Sequence, residues 1–204
     1  MNYAIILAAG KSERFNKKNK NLIVVNKKPI YKQVVEIFVK TKLFKQVLLV
    51  VSAEDKAFYT NIHFNNVRVV LGNPHNRQLS LASALKTISP KPTDIIVTHD
   101  CARPFVKPQL IRESVKCCTK HGYSTTMIPL ADSICLRKNN KFIYKDRNEL
   151  FLVQTPQSFQ YKFWKKTKDN NSTDLFTFLK LPITNENVVK GSVSNYKITY
   201  KEDC

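Results

Sequence analysis

Glycine is scarce in this sequence, with four residues among 204. Phosphate-binding loops of the Walker A or G-x-G-x-x-G type need several glycines within a few positions, and no segment of the chain has them. The glycines instead lie beside predicted helices and strands, at Gly10, Gly72, Gly122 and Gly191. This placement indicates backbone conformations or close approaches at the ends of helices and strands that favour glycine over larger residues.

Cysteine pairs, long apolar runs and a leader-like N-terminus are also missing. The five cysteines are odd in number and none forms a C-x-x-C pair, which argues against a disulfide framework or a structural zinc site. No run approaches the roughly 20 apolar residues that span a bilayer. The apolar stretch Tyr3–Ala9 follows no basic region, so it predicts a first strand rather than a signal peptide. We therefore expect a cytoplasmic protein with reduced thiols and no membrane partner.

Acidic residues are few: 15 Asp and Glu stand against 34 Lys and Arg, for a net charge of +19. A field of this sign attracts polyanions and phosphorylated small molecules, so nucleic acid is one candidate partner. The lysines are scattered, however, with small clusters such as Lys17-Lys18 and Lys165-Lys166, and the aromatic residues sit in apolar patterns. This distribution favours a solvated basic surface and a defined site for a small anion, with no specific nucleic acid.

Short apolar runs alternate with helical patterns along the chain, whose length suits a single domain over residues 1–204. We predict strands at Tyr3–Leu7, Gln46–Val51, Val67–Leu71, Asp94–Thr98 and Ser124–Ile128, and helices at Pro29–Lys40, Gln78–Ile88 and Pro108–Lys120. The alternation predicts an α/β fold, with a mostly parallel sheet and helices on both faces. Ligands of such sheets bind beyond the carboxyl ends of the strands.

The pattern changes in a segment of about 132–153. Two strand-like pieces, Asp132–Leu136 and Lys141–Tyr144, flank a polar turn at Arg137–Asn140. This predicts a β-arm inserted into the α/β core. Because a two-stranded arm is marginal alone in water, we expect it to pack on a second subunit.

Three segments carry residues capable of chemistry. Small residues around Gly10 follow the first strand and precede Arg14, which suits either an anion-binding nest or an ordinary strand-to-helix turn. Asp100 and Arg103 follow a later strand, where they could bind Mg2+ and a phosphate, or simply pair with each other. His99, directly before Asp100, is expected to be structural. The third segment consists of Asp146–Asn148 and, after a short gap, Gln154–Phe159. It is equally compatible with a polar turn that leads into a helix, with Ser158 near the helix cap.

Taken together, these segments resemble the 2-C-methyl-D-erythritol 4-phosphate cytidylyltransferase family. The matches follow the family's order over nearly the whole chain, and the H-D-x-A-R-P and Q-T-P-Q-x-F segments are the most specific. They are Ala8–Arg14, Asn19-Lys20, Pro29-Ile30, Arg77–Ser80, His99–Pro104, Pro129–Ser133, Arg147–Phe159, Thr173-Asp174 and Asn195–Thr199.

The resemblance implies a Rossmann-like three-layer nucleotidyltransferase fold and a homodimer built through the arm. It implies CMP transfer from CTP to 2-C-methyl-D-erythritol 4-phosphate with Mg2+, with release of pyrophosphate in isoprenoid precursor synthesis. It implies catalytic roles for Arg14, Lys20 and Lys197. It implies contacts to CTP from Ala8, Ala9, Gly10, Gly72, Ser80 and Asp100, with Asp100 also near the metal. It implies acceptor contacts from Arg103, Ser133, Arg147, Thr155 and Thr173, with Ser133 and Arg147 reaching in from the partner's arm.

The chain departs from the family pattern at Ser12, which replaces a second glycine, at Ser133, which replaces a threonine, and near Lys27, where a glycine is missing. Two alternatives therefore stay open. The first is the related ribitol 5-phosphate cytidylyltransferase, toward which Thr98 leans. The second is a non-catalytic homologue that binds a nucleotide or RNA.

Overall fold

The structure, a computed structural model, describes residues 1–12, 15, 19–59, 62, 64–164, 172 and 174–204. The α-helices in these ranges are α1 (Ile30–Lys40), α2 (Arg77–Leu85), α3 (Pro108–His121) and α4 (Leu175–Leu179). The strands are β1 (Asn2–Leu7), β2 (Val24–Val25), β3 (Lys28–Pro29), β4 (Gln46–Val51), β5 (Val67–Leu71), β6 (Ile95–Asp100), β7 (Tyr123–Pro129), β8 (Ile134–Lys138), β9 (Lys141–Lys145), β10 (Phe151–Gln160) and β11 (Val188–Lys190).

Seven of these strands form one sheet in the order β11-β7-β10-β6-β1-β4-β5. β1 pairs in parallel with both β4 and β6, so the chain adds strands on one side of β1 and then returns to the other. The carboxyl ends of β1 and β6 therefore flank a topological switch point, where sheets of this kind bind ligands.

The sheet is covered on both faces because its buried strands are apolar on both sides. From β1, Ala4 and Ile6 pack toward one core together with residues of α1 and α3. Tyr3 and Ile5 point the other way, into a second core with residues of α2 and α4. The predicted three-layer α/β fold is confirmed, and the ends of the predicted core strands lie within two residues of those observed.

Strand β10 excludes the alternative of a polar turn that leads into a helix at residues 154–159. It is the antiparallel member of the sheet and lies between β6 and β7, with a register irregularity between Gln154 and Ser158. Its residues 154–159 are buried although most are polar. Ser158 is not near a helix cap, because its hydroxyl shares a hydrogen bond of 2.6 Å with that of Ser114 on α3.

The predicted arm is a separate antiparallel hairpin formed by β8 and β9. Its turn is shorter than expected, because strand pairing extends to Lys138 and Lys141 and leaves Asn139-Asn140 at the tip. Both asparagines have positive φ, 47° and 60°, as a two-residue turn between twisted strands requires. No helix within the described ranges combines the length and the apolar character needed to cross a bilayer.

Candidate active site

A cleft of about 510 Å³ opens at the switch point, beyond the ends of β1 and β6. This volume lies within the usual range for small-molecule sites. Four parts of the chain meet there: the loop after β1, the segment around Lys20, the start of α2 with the loop before it, and the end of β6 with the C-terminal segment. The cleft is lined by Leu7, Ala8, Ala9, Gly10, Lys11, Ser12, Lys20, Asn21, Asn73, Pro74, His75, Asn76, Arg77, Ser80, Asp100, Ala102, Lys197 and Thr199.

The loop after β1 presents small residues to the cleft. Ala8 and Ala9 are buried, and a Cβ built on Gly10 would meet no atom within 4 Å, so this part of the loop faces open space. Ser12 adopts a φ of 52° at the position of the missing glycine. This is a left-handed conformation that suits glycine better than serine.

Lys20 is held in the cleft by its neighbours. The Asn21 side chain is buried and donates to the carbonyl oxygen of Ala8 at 3.0 Å, which ties the lysine segment to the first loop. Asn19 accepts a hydrogen bond from the Asn21 backbone and donates to the Tyr59 hydroxyl at 3.0 Å. The residues on both sides of Lys20 are therefore fixed, Asn21 to the loop after β1 and Asn19 to Tyr59.

The loop before α2 is closed by a serine and a glycine. The Ser80 hydroxyl donates to the Asn73 carbonyl at 2.8 Å and accepts from the Asn73 backbone N–H at 3.0 Å. Gly72 lies behind this contact, where an added Cβ would be 2.5 Å from Val50 Cγ1 and 2.8 Å from Ser80 Oγ. Ser80 therefore lines the cleft, whereas Gly72 allows the close packing that places it.

Asp100 lies at the carboxyl end of β6 and holds two cations. Its Oδ2 accepts from Lys197 Nζ at 2.7 Å, and its Oδ1 faces Arg77 Nε at 3.3 Å. Burial by itself would raise the pKa of Asp100, but these two cations outweigh burial and hold the pKa far below its usual range. The carboxylate is therefore ionised at neutral pH.

His99 and Thr155 lie behind Asp100. The Asp100 backbone N–H donates to the Thr155 hydroxyl at 3.0 Å, and that hydroxyl lies 3.0 Å from His99 Nδ1. His99 Nε2 lies 3.1 Å from the Arg103 carbonyl oxygen, which assigns the ring proton to Nε2 and makes Nδ1 the acceptor. Burial lowers the pKa of His99 to about 4, so the ring is neutral near pH 7. The expectation that His99 is structural agrees with this geometry.

The predicted acceptor residues are placed in different ways. Arg103 donates to the carbonyl oxygens of Asn195 and Val153 at 2.8 and 3.4 Å. Thr155 is 5% exposed and faces the strand end rather than the cleft. Ser133 and Arg147 lie on exposed backbone around the arm, and Arg147 Nη1 donates to the Ala131 carbonyl at 2.6 Å. Two further predicted residues, Arg14 and Thr173, lie outside the described residues.

The sequence reasoning missed Arg77 and Asn73. Arg77 is the first residue of α2, where the positive end of the helix dipole disfavours a cation, and this conflict could have marked it as a site residue. Its Nη1 is buried and has no hydrogen-bond partner. Asn73 accepts hydrogen bonds from the backbone N–H groups of His75 and Asn76, which shapes the loop over the cleft. No local pattern in the sequence indicates this role of Asn73.

The donor set of the cleft suits a magnesium ion brought in with a nucleotide. Among the described residues, no three His, Cys, Asp or Glu side chains cluster as an all-protein metal site would need. Among those lining the cleft, Asp100 is the acidic residue. Mg2+ is commonly bound by one or two carboxylates together with substrate phosphates, so a single carboxylate beside a phosphate-sized cleft fits this ion.

Comparison with known proteins agrees with this geometry. The sequence model of the 2-C-methyl-D-erythritol 4-phosphate cytidylyltransferase family matches residues 2–204. The enzyme of that name from Clostridium tetani is 36% identical over 216 residues, which cover 99% of this chain and 87% of the relative. The one from Clostridium acetobutylicum is 31% identical over 217 residues and covers 100% and 94%.

A solved structure has the same fold. The 2-C-methyl-D-erythritol 4-phosphate cytidylyltransferase of Francisella tularensis aligns with a TM-score of 0.79 at 25% identity, covering 99% of this chain and 95% of the other. The resemblance read from the sequence motifs is thus confirmed by a match over almost every residue. The chain belongs to the 2-C-methyl-D-erythritol 4-phosphate cytidylyltransferase family, whose members are nucleotidyltransferases.

Proposed function

We propose that this protein transfers CMP from CTP to 2-C-methyl-D-erythritol 4-phosphate and releases pyrophosphate, a step in isoprenoid precursor synthesis. One observation supports this most directly. Lys20 and Lys197, 177 positions apart in sequence, line one cleft with Asp100 and the small-residue loop after β1. A binding protein for neutral ligands has no use for this set, whereas a triphosphate substrate needs cations on several sides.

The reaction is an in-line displacement at phosphorus. A phosphate oxygen of the acceptor attacks the α-phosphorus of CTP, and the bond to the bridging oxygen of pyrophosphate breaks. The nucleophile is already ionised at neutral pH, so no general base is required. The protein must position two anions and stabilise the negative charge of the transition state. We assign this work to Lys20, Lys197 and Arg14.

The nucleoside contacts follow from the same cleft. The backbone at Ala8–Gly10 approaches the nucleotide, and Ser80 with the loop it holds contacts the cytidine. Asp100 is the carboxylate that would hold Mg2+, whose chemistry is to neutralise phosphate charge and align the phosphates for attack. Since Asp100 is ionised and already holds Lys197, it also keeps that lysine at the place where the acceptor phosphate must lie.

The acceptor side is completed by a second subunit in this proposal. Ser133 and Arg147 lie by the arm, and Arg103 comes from the main body; Thr173 remains a proposed acceptor contact. The arm and the strand after it carry exposed large apolar side chains, which in water favour burial against another surface. These are Leu136, Phe142, Ile143, Tyr144, Phe151, Leu152 and Val153. We propose a homodimer of single-domain chains in the cytoplasm, and we propose that Thr155 acts by positioning Asp100 rather than by touching the acceptor.

The ribitol 5-phosphate alternative loses the residue that favoured it. Thr98 is fully buried, and its hydroxyl lies 3.3 Å from the Gln157 carbonyl oxygen inside the sheet. A side chain in that position cannot contact an acceptor. The choice between the two acceptors therefore rests on the family match, which favours methylerythritol phosphate.

Pyrophosphate release with CTP, Mg2+ and each acceptor tests the proposal. We expect turnover with methylerythritol phosphate and a loss on the order of 10²–10³ in the Lys20→Ala protein, the scale known for preorganised electrostatic contacts. Lys32→Ala removes an exposed lysine on α1 and is the matched control, with activity unchanged. A preference for ribitol phosphate would favour the related enzyme. Release with neither acceptor would favour a non-catalytic nucleotide- or RNA-binding protein.

A further inference from the structure

The segment that carries Lys197 has little regular structure of its own. It follows β11 from residue 191 to residue 199 and includes one turn of 3-10 helix, Val193–Asn195. Its catalytic lysine must nevertheless be held to within a fraction of an ångström, since a displacement of about 1 Å can cost on the order of 100-fold in rate. What fixes this segment to the sheet is therefore a question about catalysis as well as folding.

A buried glutamine on β10 binds the start of the segment. Gln154 is 3% exposed, and its Nε2 donates to the Ser192 carbonyl at 2.9 Å while its Oε1 lies 3.4 Å from the Ser192 backbone N–H. Gly191 passes so close that an added Cβ would lie 2.6 Å from Gln154 Oε1. The amide of Gln154 thus acts on the segment as a neighbouring strand would, through both a donor and an acceptor.

A buried asparagine of the segment, Asn195, in turn forms hydrogen bonds to the sheet. Asn195 is 1% exposed, and its Nδ2 donates to Gln154 Oε1 at 3.1 Å and to the Thr155 carbonyl oxygen at 2.9 Å. Both partners are acceptors, so the orientation of this amide is fixed. The backbone carbonyl oxygen of Asn195 accepts from Arg103 Nη1 at 2.8 Å.

These hydrogen bonds connect the amide pair to Lys197 and Asp100. Two residues after Asn195 comes Lys197, whose Nζ reaches Asp100 at 2.7 Å. The next residue, Ile198, donates its backbone N–H to the Ala102 carbonyl at 2.8 Å. On the sheet, Thr155 follows Gln154 and accepts the Asp100 backbone N–H. The amide pair is therefore joined to Lys197 through one chain segment and to Asp100 through another.

We propose that Gln154 and Asn195 form a buried amide clamp that positions Lys197 for nucleotidyl transfer. Neither residue is among the described residues that line the cleft, so both act through Lys197 and not on the substrate. The role assigned to Lys197 belongs to the proposed function, on which this inference rests.

One detail separates a positioning role from ordinary core stability. The Oδ1 atom of Asn195 is buried and has no hydrogen-bond partner, a condition that costs free energy in any core. An apolar residue of similar volume would remove that cost. The chain instead keeps an amide with an unsatisfied oxygen at the position where its two donors join the Lys197 segment to the sheet.

A double-mutant cycle tests the clamp. Asn195→Leu keeps the volume and removes both donors, and we expect kcat to fall by about 10–100-fold with the dissociation constant for CTP changed less than about threefold. Lys197→Ala should lose on the order of 10²–10³. If Asn195 acts through Lys197, the double variant should be within about threefold of Lys197→Ala alone. Val193→Ala, on an exposed side chain of the same segment, is the control that should match the parent protein.

Independent, multiplicative losses in the double variant would overturn the clamp, as would equal losses in CTP affinity and kcat. Amide hydrogen exchange gives a readout that needs no turnover. The Ile198 N–H should exchange faster in Asn195→Leu and in Gln154→Ala than in the parent, while strands β1 and β4 keep their protection. Unchanged exchange at Ile198 would also overturn the proposal. Absence of turnover in the parent protein, with faster Ile198 exchange in both variants, would count against the proposed function and leave the clamp standing.

Discussion

Acid should destabilise this protein through one buried imidazole, His99. The ring lies fully buried on β6, and burial lowers its pKa from 6.5 to about 4. In the unfolded chain the ring takes up a proton near pH 6.5, whereas in the folded protein it stays neutral down to about pH 4. The stabilisation is therefore complete above the unfolded pKa and is lost as the pH falls toward the folded one.

The magnitude follows from linkage. Between about pH 7 and pH 4.5 the unfolded chain binds up to one more proton than the folded protein, and integration gives a fall of about 2.4 kcal/mol in the free energy of unfolding. The pH window avoids the carboxylates with lowered pKa values, Asp94, Asp100 and Asp203, which begin to lose their charge-dependent stabilisation below it.

Urea unfolding of the parent and His99→Gln proteins at the two pH values measures this change in the free energy of unfolding. Glutamine does not titrate and keeps a donor for the Arg103 carbonyl, so its free energy of unfolding should depend less on pH by about 2 kcal/mol, whatever its absolute stability. His75→Gln changes an exposed histidine and should keep the full slope of the parent. Equal pH dependence in the parent and His99→Gln proteins would refute the reasoning.

Four further results are expected. Gly72→Ala should lower the free energy of unfolding by about 1–3 kcal/mol in urea titrations, since the new methyl group overlaps Val50 and the Ser80 hydroxyl. Ser12→Gly should raise the melting temperature, because it relieves about 1 kcal/mol of left-handed strain, and an unchanged value would contradict the assigned φ. Arg77→Leu should raise KM for CTP at least about tenfold in the pyrophosphate assay, through loss of a partly buried cation that lines the cleft. Phe142→Asp, on a side chain 68% exposed, should convert a dimer to monomers in sedimentation, and a parent protein already monomeric at micromolar concentration would exclude the arm as interface.

The core strands and the arm were predictable because their sequences have the period and composition of the elements they form. Helix α1, for example, places Ile30, Val34 and Phe38 on one buried face at helical spacing. Strand β10 was not predictable in this way. Its residues include Pro156 and several polar side chains, a composition typical of turns, and its place in the sheet depends on the two strands that enclose it.

The candidate site also has a part that the sequence predicted and a part that it did not. The strand-end position of Asp100 follows from the α/β pattern, but its partner Lys197 is 97 positions away, and no local periodicity relates the two. The family resemblance placed both residues at one site, and it assigned Thr155 to the acceptor, although in the structure the Thr155 hydroxyl lies 3.0 Å from His99 Nδ1. Motif comparison gives the residues of a site without distinguishing those that touch a ligand from those that hold its neighbours, because both kinds recur in the same segments.

Folding brings like charges together in the cleft. Lys11, Lys20, Arg77 and Lys197 line it, and Asp100 is the acidic residue among the described residues that line it, so the lining carries excess positive charge. Because these cations lie on segments that are far apart in the unfolded chain, their mutual repulsion arises mainly on folding, and Asp100 offsets only part of it. CTP, with its several negative charges, offsets the rest, and this requires that binding of the nucleotide stabilise the folded protein.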